Sequence, residues 1–516
     1  MRGLKSVIAV CIKHQLGCVA GILALLILMN ACMVGPKYTK PVAEVPPAYK
    51  EQPPGPSTGE WKQAQPSDQQ SKGKWWEIYS DSQLNALEER VSVSNQNLKV
   101  SEALFRQARA VVRANRSGYY PTVSGTVSIT ASHPSANRSL TTAASSPTFG
   151  DYLLSADMSY ELDVWGRIHR LVEGSVANAQ ASDADLETIR LSIQSELATD
   201  YFQLRAFDSE RQLLDSTVTA YTKALELTTN RYKGGVASKV EVAQAETQLE
   251  TTRAEAIDVG VQRAQLEHAI ALLVGAPAST FSIPPQPLTV SPPKIPAGLP
   301  SELLERRPDI AAAERRVAAA NAQIGIAKAA YYPVLSIAAS VGFETTQISN
   351  WFSWPSHLWA VGPALAQTLF DAGRRRAVSD QAQAAYDATV GTYRQSVLTA
   401  FQEVEDNLAA LRILGEEAGV QDSAVKASER SLELSMNRYK GGVVSYLEVT
   451  TAQSAALTNE RTAVDILGRE MVASVLLVKA LGGGWDASSL PSTQEIESSV
   501  PKASTNAIAA AERKID

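Results

Sequence analysis

The heptapeptide Asn-Arg-Tyr-Lys-Gly-Gly-Val occupies residues 230–236 of this 516-residue chain and returns unchanged at residues 437–443, which is 207 positions later (437 minus 230). Two more pairs of landmarks keep the same order: Tyr-Tyr-Pro at 119–121 and 331–333, and Leu-Asp-Val-Trp-Gly-Arg at 162–167 with Leu-Phe-Asp-Ala-Gly-Arg at 369–374. Ordered matches at similar spacing indicate an internal repeat. The chain is therefore predicted to contain two copies of one structural unit.

Proline marks the boundaries of the two copies. The chain holds 25 prolines, yet none lies between Pro147 and Pro277 or between Pro363 and Pro491. Pro-rich stretches are typical of connecting segments rather than of helices. The predicted division is a signal peptide at 1–31, an anchor and Pro-rich segment at 32–80, a first copy at 81–275, a linker at 276–300, a second copy at 301–484 and a polar C-terminal tail at 485–516.

Each copy contains a long helical segment, at 167–234 and at 374–441. Both are rich in Ala, Gln and Glu, with apolar residues at three- and four-residue spacing. Each spans about 67 residues, which at 1.5 Å per residue is about 100 Å of helix. A globular core has no room for such helices, so they indicate a coiled-coil cylinder in which alanine lets neighbours pack closely.

Both long helices are predicted to end at a Tyr-Lys-Gly-Gly turn, because glycine readily adopts the left-handed conformation that terminates a helix. A Ser-x-x-Glu sequence follows each turn, at 238–241 and 445–448. This sequence is a capping box, so it predicts the start of a returning helix. Both helical hairpins then lie at the same level, far from the rest of the copy. The turn glycines are Gly234, Gly235, Gly441 and Gly442.

Alternating apolar and polar residues predict two strands in each copy, at 122–129 and 154–162 and at 335–344 and 358–370, the last being the least regular. Strands of about ten residues with one apolar face are typical of membrane β-barrels. Half-buried hairpins of a soluble protein share this pattern, which leaves that alternative open. Candidates for interfacial aromatic girdles are Tyr152, Tyr160, Trp165, Trp351, Trp354 and Trp359.

Four strands per chain are too few for a barrel around a tunnel, because the smallest membrane barrels use about eight strands. An open sheet in lipid leaves backbone groups without hydrogen bonds. Several chains must therefore contribute, and three chains with twelve strands is the favoured arrangement, although two or four copies stay open. The predicted fold class is an α+β membrane protein, a trimeric twelve-stranded β-barrel continued by a long α-helical barrel.

The N-terminus has the order of a secretory signal. Three basic residues occur among the first 13, an apolar run follows at 16–29, and a small residue precedes Cys32. Lipoprotein processing cleaves before such a cysteine, so Cys32 is predicted to become the N-terminal residue and to carry covalent lipid.

The remaining cysteines agree with this interpretation. Cys11 and Cys18 lie in the segment that is removed, so no disulfide is expected. Met33, rather than an aspartate, follows Cys32 and favours the outer membrane over the inner one.

Composition and motifs exclude several classes of protein. Beyond the N-terminus no apolar run approaches the roughly 20 residues of a membrane-spanning helix, which excludes a polytopic helical transporter. The formal net charge is -6 and the basic residues are dispersed, so nucleic acid is not an expected partner. The five histidines are scattered, and no zinc-site spacing, nucleophile elbow or phosphate loop occurs. We expect no enzyme activity, no metal site and no cofactor other than the lipid on Cys32.

Several motifs together resemble one family. They are Cys-Met-Val-Gly-Pro-Lys-Tyr-Thr-Lys-Pro at 32–41, Arg-Arg-Pro-Asp-Ile at 306–310, Ala-Lys-Ala-Ala-Tyr-Tyr-Pro at 327–333 and Phe-Asp-Ala-Gly-Arg at 370–374. Over about residues 32 to 485 the chain resembles outer-membrane efflux lipoproteins of the TolC-like family, which pair with resistance-nodulation-division pumps. The resemblance implies a homotrimer that extends into the periplasm, docks with an adaptor protein and an inner-membrane pump, and is a passive exit duct for small molecules such as drugs.

The resemblance also bears on the hairpin tips, where related channels close their periplasmic mouth with acidic side chains. By position Glu448 matches one such carboxylate, while Thr451 stands where some relatives carry a second. Glu241 is the first-copy counterpart of Glu448. Helix capping alone also explains both glutamates, and the two roles are compatible. Candidates for the bonds that hold neighbouring hairpins together are Arg231, Tyr232, Arg438 and Tyr439.

Two alternative functions stay open at this point. A duct for secreted proteins has the same architecture, although the lipid anchor argues mildly against it. A coiled-coil structural lipoprotein without a pore needs no lipid-facing strands. The exported substrate is not predicted, because nothing in the sequence resembles a dedicated substrate site.

Overall fold

The computed structural model describes residues 33–51, 74–133, 135, 148–295 and 300–498. The predicted signal peptide and the lipidation site Cys32 lie outside these residues. The helices are α1 (Ser82–Ser94), α2 (Gln96–Arg116), α3 (Arg167–Lys233), α4 (Lys239–Leu273), α5 (Leu303–Arg306), α6 (Pro308–Ala329), α7 (Arg374–Lys440), α8 (Tyr446–Ala480) and α9 (Thr493–Ser498), and the strands are β1 (Thr122–Ser132), β2 (Phe149–Leu162), β3 (Val334–Thr345) and β4 (His357–Ala366).

The strands form one antiparallel sheet in the order β1-β2-β3-β4. Its register places apolar residues of all four strands on one face, because directly paired residues share a face. One row joins Val127, Leu154 and Phe343, and the opposite face carries polar rows such as Ser124, Asp157 and Ser340. The sheet therefore has one apolar face and one face that is polar on β1, β2 and β3, as their alternation predicts, whereas β4 has mostly small residues on the second face.

The fourth strand is shorter than predicted. The alternation extends it to residue 370, but β4 ends at Ala366, which pairs with Val334 at the first position of β3. The residue before Val334 is Pro333, which has no amide hydrogen to donate to the ladder. Beyond Ala366 no described strand pairs with this segment and β4 ends, so the prediction of a strand at residues 367–370 is wrong.

The long helices lie where the sequence places them. Helices α3 and α7 each contain 67 residues, and the returning helices α4 and α8 each contain 35. Each long helix ends at a pair of glycines. The left-handed residues are the second ones, Gly235 at φ 74° and Gly442 at φ 76°. The two halves of the chain thus present the same elements in the same order.

The helices are arranged side by side in the same order as the strands. Helix α2 packs on α3, α3 on α6, and α6 on α7, while α8 returns against both α7 and α3. Helix α2 leads into β1 and β4 leads into α7. Both the sheet and the helical layer therefore have open edges on the same two sides. No helix of the described ranges combines the length and apolar composition needed to cross a membrane.

The hydrophobic core is concentrated midway along the helices. One cluster gathers Trp75, Trp76 and Tyr79 against Phe202 of α3, and another gathers Tyr393 of α7 with neighbours from α5, α6 and α8. These clusters pack the segments that precede and connect the helices against the two long helices.

Residues 33–51 run along the outside of these helices. The guanidinium of Arg170 donates to the carbonyl of Pro36 at 3.0 Å, and the amide of Lys50 donates to Glu405 at 2.7 Å. Near the other end of the chain, Ile496 in the predicted tail is buried against α2 and α3. These contacts tie both described ends to the helical layer.

Candidate functional site at the hairpin tips

The tips of the two helical hairpins lie against each other. Nη1 of Arg231, in the last turn of α3, donates to the backbone carbonyl of Lys440 at the end of α7, at 3.0 Å. The same guanidinium lies over the ring of Tyr439, 4.7 Å from its centroid. A cation over an aromatic face is attracted to the ring. Arg231 therefore joins the first hairpin to the second through both backbone and side chain.

Tyr439 is the centre of this contact. Its side chain is 1% exposed, and its hydroxyl donates to Oε2 of Glu241 at 3.0 Å. Its ring packs edge-on against Tyr446, with 5.2 Å between centroids. Burial raises the pKa of Tyr439, and the Glu241 carboxylate raises it further. The phenol therefore keeps its proton at neutral pH and acts as a hydrogen-bond donor.

Glu241 has two roles at the start of α4. The amide of Glu241 donates to Oγ of Ser238 at 3.3 Å, and the amide of Ser238 donates to Oε1 of Glu241 at 3.4 Å. These reciprocal bonds confirm the predicted capping box in the first copy. Because Oε2 accepts from Tyr439, one carboxylate caps its own helix and also binds the other hairpin.

Glu448 behaves differently, and the second predicted capping box is wrong. Ser445 makes no side-chain cap, although the amide of Glu448 donates to the Ser445 carbonyl as the amide of Glu241 does to the Ser238 carbonyl. Oε1 of Glu448 accepts from Nη1 of Arg438 at 3.0 Å. A charged guanidinium is a stronger donor than a backbone amide, which explains the choice. The two side chains are 40% and 55% exposed, so the pair contributes at most about 1 kcal/mol.

The two copies of the heptapeptide are not equivalent in the chain. Tyr439 is buried between the hairpins, whereas its counterpart Tyr232 is 43% exposed and its hydroxyl forms no hydrogen bond with the described part of the chain. The predicted bond from the Tyr232 side chain to a neighbouring hairpin is therefore not formed between the two hairpins of one chain, as far as the structure describes it. Val236 and Val443, which follow the turn glycines, are exposed in both copies.

Sequence reasoning missed two residues that link the hairpins. Tyr446 is buried beside Tyr439, and burial raises its pKa to about 12. Its place at the first position of α8 offered a weak signal. Farther from the tips, Arg461 of α8 binds Glu210 of α3 at 2.8 Å and Glu255 of α4 at 3.1 Å. No local pattern identifies that network, because Arg461 lies 251 residues from Glu210 and 206 residues from Glu255 in sequence.

The tip chemistry consists of ion pairs, phenols and one cation–aromatic contact. Within the described ranges no group of His, Cys, Asp and Glu side chains is arranged to hold a metal ion. The contacts are reversible and lie at the free ends of long helices. Such an arrangement can hold two hairpins together or release them.

Comparison with protein families matches residues 87–276 and 299–483 to the family described as "Outer membrane efflux protein". The chain is 32% identical over 470 residues to the solvent efflux pump outer membrane protein SrpC of Pseudomonas putida, covering 90% of this chain and 97% of that protein. It is 27% identical over 462 residues to the cation efflux system protein CusC of Escherichia coli, covering 89% and 96%.

A solved structure of the outer-membrane channel OprN is also similar. It superposes with a TM-score of 0.78 at 29% identity, covering 88% of this chain and 100% of the other. The resemblance therefore extends over both halves of the chain and over its complete relatives.

Proposed function

The chain belongs to the outer membrane efflux protein family, and from this premise we propose that it is the outer-membrane exit duct of an efflux pump. The sheet carries the proposal: one face is apolar on all four strands, and the other face carries polar rows across β1, β2 and β3 that continue into mostly small residues on β4. In an outer membrane the apolar face meets lipid and the polar face lines a passage. A duct of this kind moves solutes without bond chemistry, so we assign no catalytic residue.

We propose that three copies close the passage. In one chain β1 and β4 are open edges, and such edges in lipid leave amide and carbonyl groups unpaired. Pairing β4 of each copy with β1 of the next gives twelve strands and satisfies both edges. The helical layer supports the same assembly, because α2 and α7 are open on the same two sides. The equal lengths of corresponding helices support the internal repeat.

The helices extend the passage away from the membrane. At 1.5 Å per residue, the 67 residues of α3 or α7 span about 100 Å. That reach places the hairpin tips deep in the periplasm, where an adaptor protein and an inner-membrane pump complete the pathway. Covalent lipid on Cys32 is part of this proposal and adds a second attachment to the outer membrane.

The tips are the proposed gate of the duct. Arg231, Tyr439 and Glu241 hold the two hairpins of one chain together, and Glu448 with Arg438 places charge at the same level. Release of these contacts frees one hairpin to move relative to the other. Because the exposed hydroxyl of Tyr232 bonds to none of the described residues of its own chain, we assign its contact to the neighbouring copy.

Two measurements on the purified mature protein test the duct. We expect a trimer that dissociates on heating in detergent, and stepwise ion conductance in a planar lipid bilayer. A monomer without conductance would support a coiled-coil structural lipoprotein and contradict the proposal. Co-purification with a periplasmic adaptor expressed in the same cell tests the partner assignment separately.

A further inference from the structure

The connection between β3 and β4, residues 346–356, is here called the aromatic loop. Trp351 lies 5.7 Å from the ring of Tyr152, and Phe352 stacks on Trp351 at 5.3 Å. Phe352 also packs edge-on against Phe343, with 5.9 Å between centroids. The loop is thus folded back onto the sheet rather than projecting beyond it.

The register shows onto which face the loop folds. Phe343 is paired with Leu154, and Tyr152 lies two residues from Leu154 on the same strand, so all three share the apolar face. The aromatic loop therefore covers the outer rim of the apolar face and not the polar face. Tyr152 and Phe343 belong to the central strands β2 and β3, so a copy pairing at either sheet edge leaves this region open.

The surface of the loop is apolar and without formal charge. Trp354 is 81% exposed and Phe352 is 68% exposed. No Asp, Glu, Lys or Arg occurs between residues 345 and 370. Tryptophan is enriched at membrane–water interfaces, where its apolar ring and its N–H group are both accommodated. These properties favour a lipid interface as the occupant of this surface.

Four polar residues of the loop, Gln347, Asn350, Ser353 and Ser356, are bonded to one another, whereas Nε1 of Trp351 is buried without a hydrogen-bond partner among the described residues. The hydroxyls of Ser353 and Ser356 both donate to the carbonyl of Asn350 at 2.7 Å, and Asn350 binds the side chain of Gln347 at 3.3 Å. This arrangement fixes the loop and leaves the rings of Phe352 and Trp354 exposed. A loop at a membrane surface requires such internal bonding, because unpaired groups are costly in an apolar medium.

The spacing along the sheet agrees with a membrane. Leu162 follows Tyr152 by ten residues on β2, which is about 33 Å along the strand. For a strand tilted by about 40°, this distance projects to about 25 Å along the membrane normal. The opposite end carries a second aromatic pair, Trp165 stacked on Tyr332 at 4.6 Å. The apolar band of outer-membrane barrels is about 25 Å tall, so the loop lies at one boundary of that band.

We propose that the aromatic loop is an interfacial anchor in the outer leaflet of the outer membrane, with Phe352 and Trp354 at the boundary between headgroups and acyl chains. The inference rests on the proposed duct, because it takes the apolar face to be lipid-facing. It goes further in assigning this loop to the lipid side, so that it forms no lid over the passage.

Nitroxide labelling of the full chain in phospholipid vesicles tests the anchor. A label at Trp354→Cys is expected to be relaxed by oxygen, which concentrates in lipid, and to lose contact with a water-soluble nickel complex. Val443→Cys, exposed at a hairpin tip, is the matched control with the opposite preference. Ile348→Cys provides a second position in the loop, and labelled wild type measures any reaction at Cys32.

Conductance of the unlabelled Trp354→Cys channel is measured in parallel and is expected to equal that of wild type. Nickel contact at positions 354 and 348 as strong as at position 443 would overturn the anchor. So would a changed unit conductance, because it places the loop over the passage. If the label at position 354 is exposed to lipid but neither wild type nor any variant conducts ions, the anchor is supported and the duct is contradicted. Failure of the anchor and failure of the duct are therefore distinguishable.

Discussion

Replacing Tyr439 by Phe is expected to loosen the two hairpins of each chain. The substitution removes only the hydroxyl that donates to Glu241 at 3.0 Å. The ring stays between Arg231 and Tyr446, so the cation–aromatic and edge-on contacts are retained. The change therefore isolates the contacts of this hydroxyl with the first hairpin, to Glu241 and to Oγ1 of Thr228 at 3.5 Å.

The size of the effect follows from the type of bond. A hydrogen bond to a charged acceptor contributes about 1.5–3 kcal/mol. Water can replace the lost donor at the partly exposed Glu241, so we expect the lower end, about 1.5 kcal/mol. Because about 1.4 kcal/mol corresponds to a tenfold change in an equilibrium constant, the population with separated tips rises about tenfold per chain.

Single-channel recording in planar bilayers measures this shift as a higher open probability of Tyr439→Phe. Tyr232→Phe removes the same atom from the other copy of the heptapeptide and reports on the proposed contact with the neighbouring copy, since no side-chain bond within the described part of the chain is lost. An open probability of Tyr439→Phe equal to that of wild type would refute the assignment of Tyr439 to the gate. A lower melting temperature without a change in recording would leave Tyr439 with a purely structural role.

Four further variants test other parts of the structure. Glu448→Ala is expected to change unit conductance and cation preference. Wild-type values of both, with only a lower melting temperature, would contradict a gate role. Burial without a bonding partner raises the pKa of Glu88 well above its usual 4.5, so folding retains a proton that the unfolded chain releases above that pH. The free energy of unfolding of the wild type therefore falls as pH rises, by up to about 1.4 kcal/mol per pH unit, and Glu88→Gln removes this fall. The melting temperature of both proteins is measured between about pH 5 and 8, and the same dependence on pH in both would contradict the prediction. Gly482→Ala places a Cβ 2.1 Å from the Arg306 carbonyl oxygen at φ 95° and is expected to lower the melting temperature strongly. Gly260→Ala, in open space within a helix, is expected to stabilise by about 0.5–1 kcal/mol, and similar melting shifts for the two glycine variants would contradict the steric argument.

Much of the fold could be predicted from short stretches of sequence. The bounds of α3 and α7 follow from proline-free amphipathic segments that end at Gly234 and Gly441. The faces of β1, β2 and β3 follow from strict alternation. These features depend on neighbours within a few residues, and such interactions are encoded locally.

The partners at the tips could not be predicted in this way. The segments at 238–241 and 445–448 share the Ser-x-x-Glu pattern, yet only the first forms a capping box. In the second, Arg438 competes for the carboxylate of Glu448. The end of β4 was likewise set by the start of β3 and not by its own residues. Both errors arise from a partner that is distant in sequence or supplied by another element.

The sequence by itself determined two repeated units, long helices that end at a glycine turn, and strands with one apolar face. Only the tertiary structure decided that Tyr439 is buried while the identical Tyr232 is exposed, and that the aromatic loop folds over the apolar face. The physical reason is that a residue's own neighbours fix its backbone, whereas its burial and its bonds depend on which surface the rest of the chain brings against it.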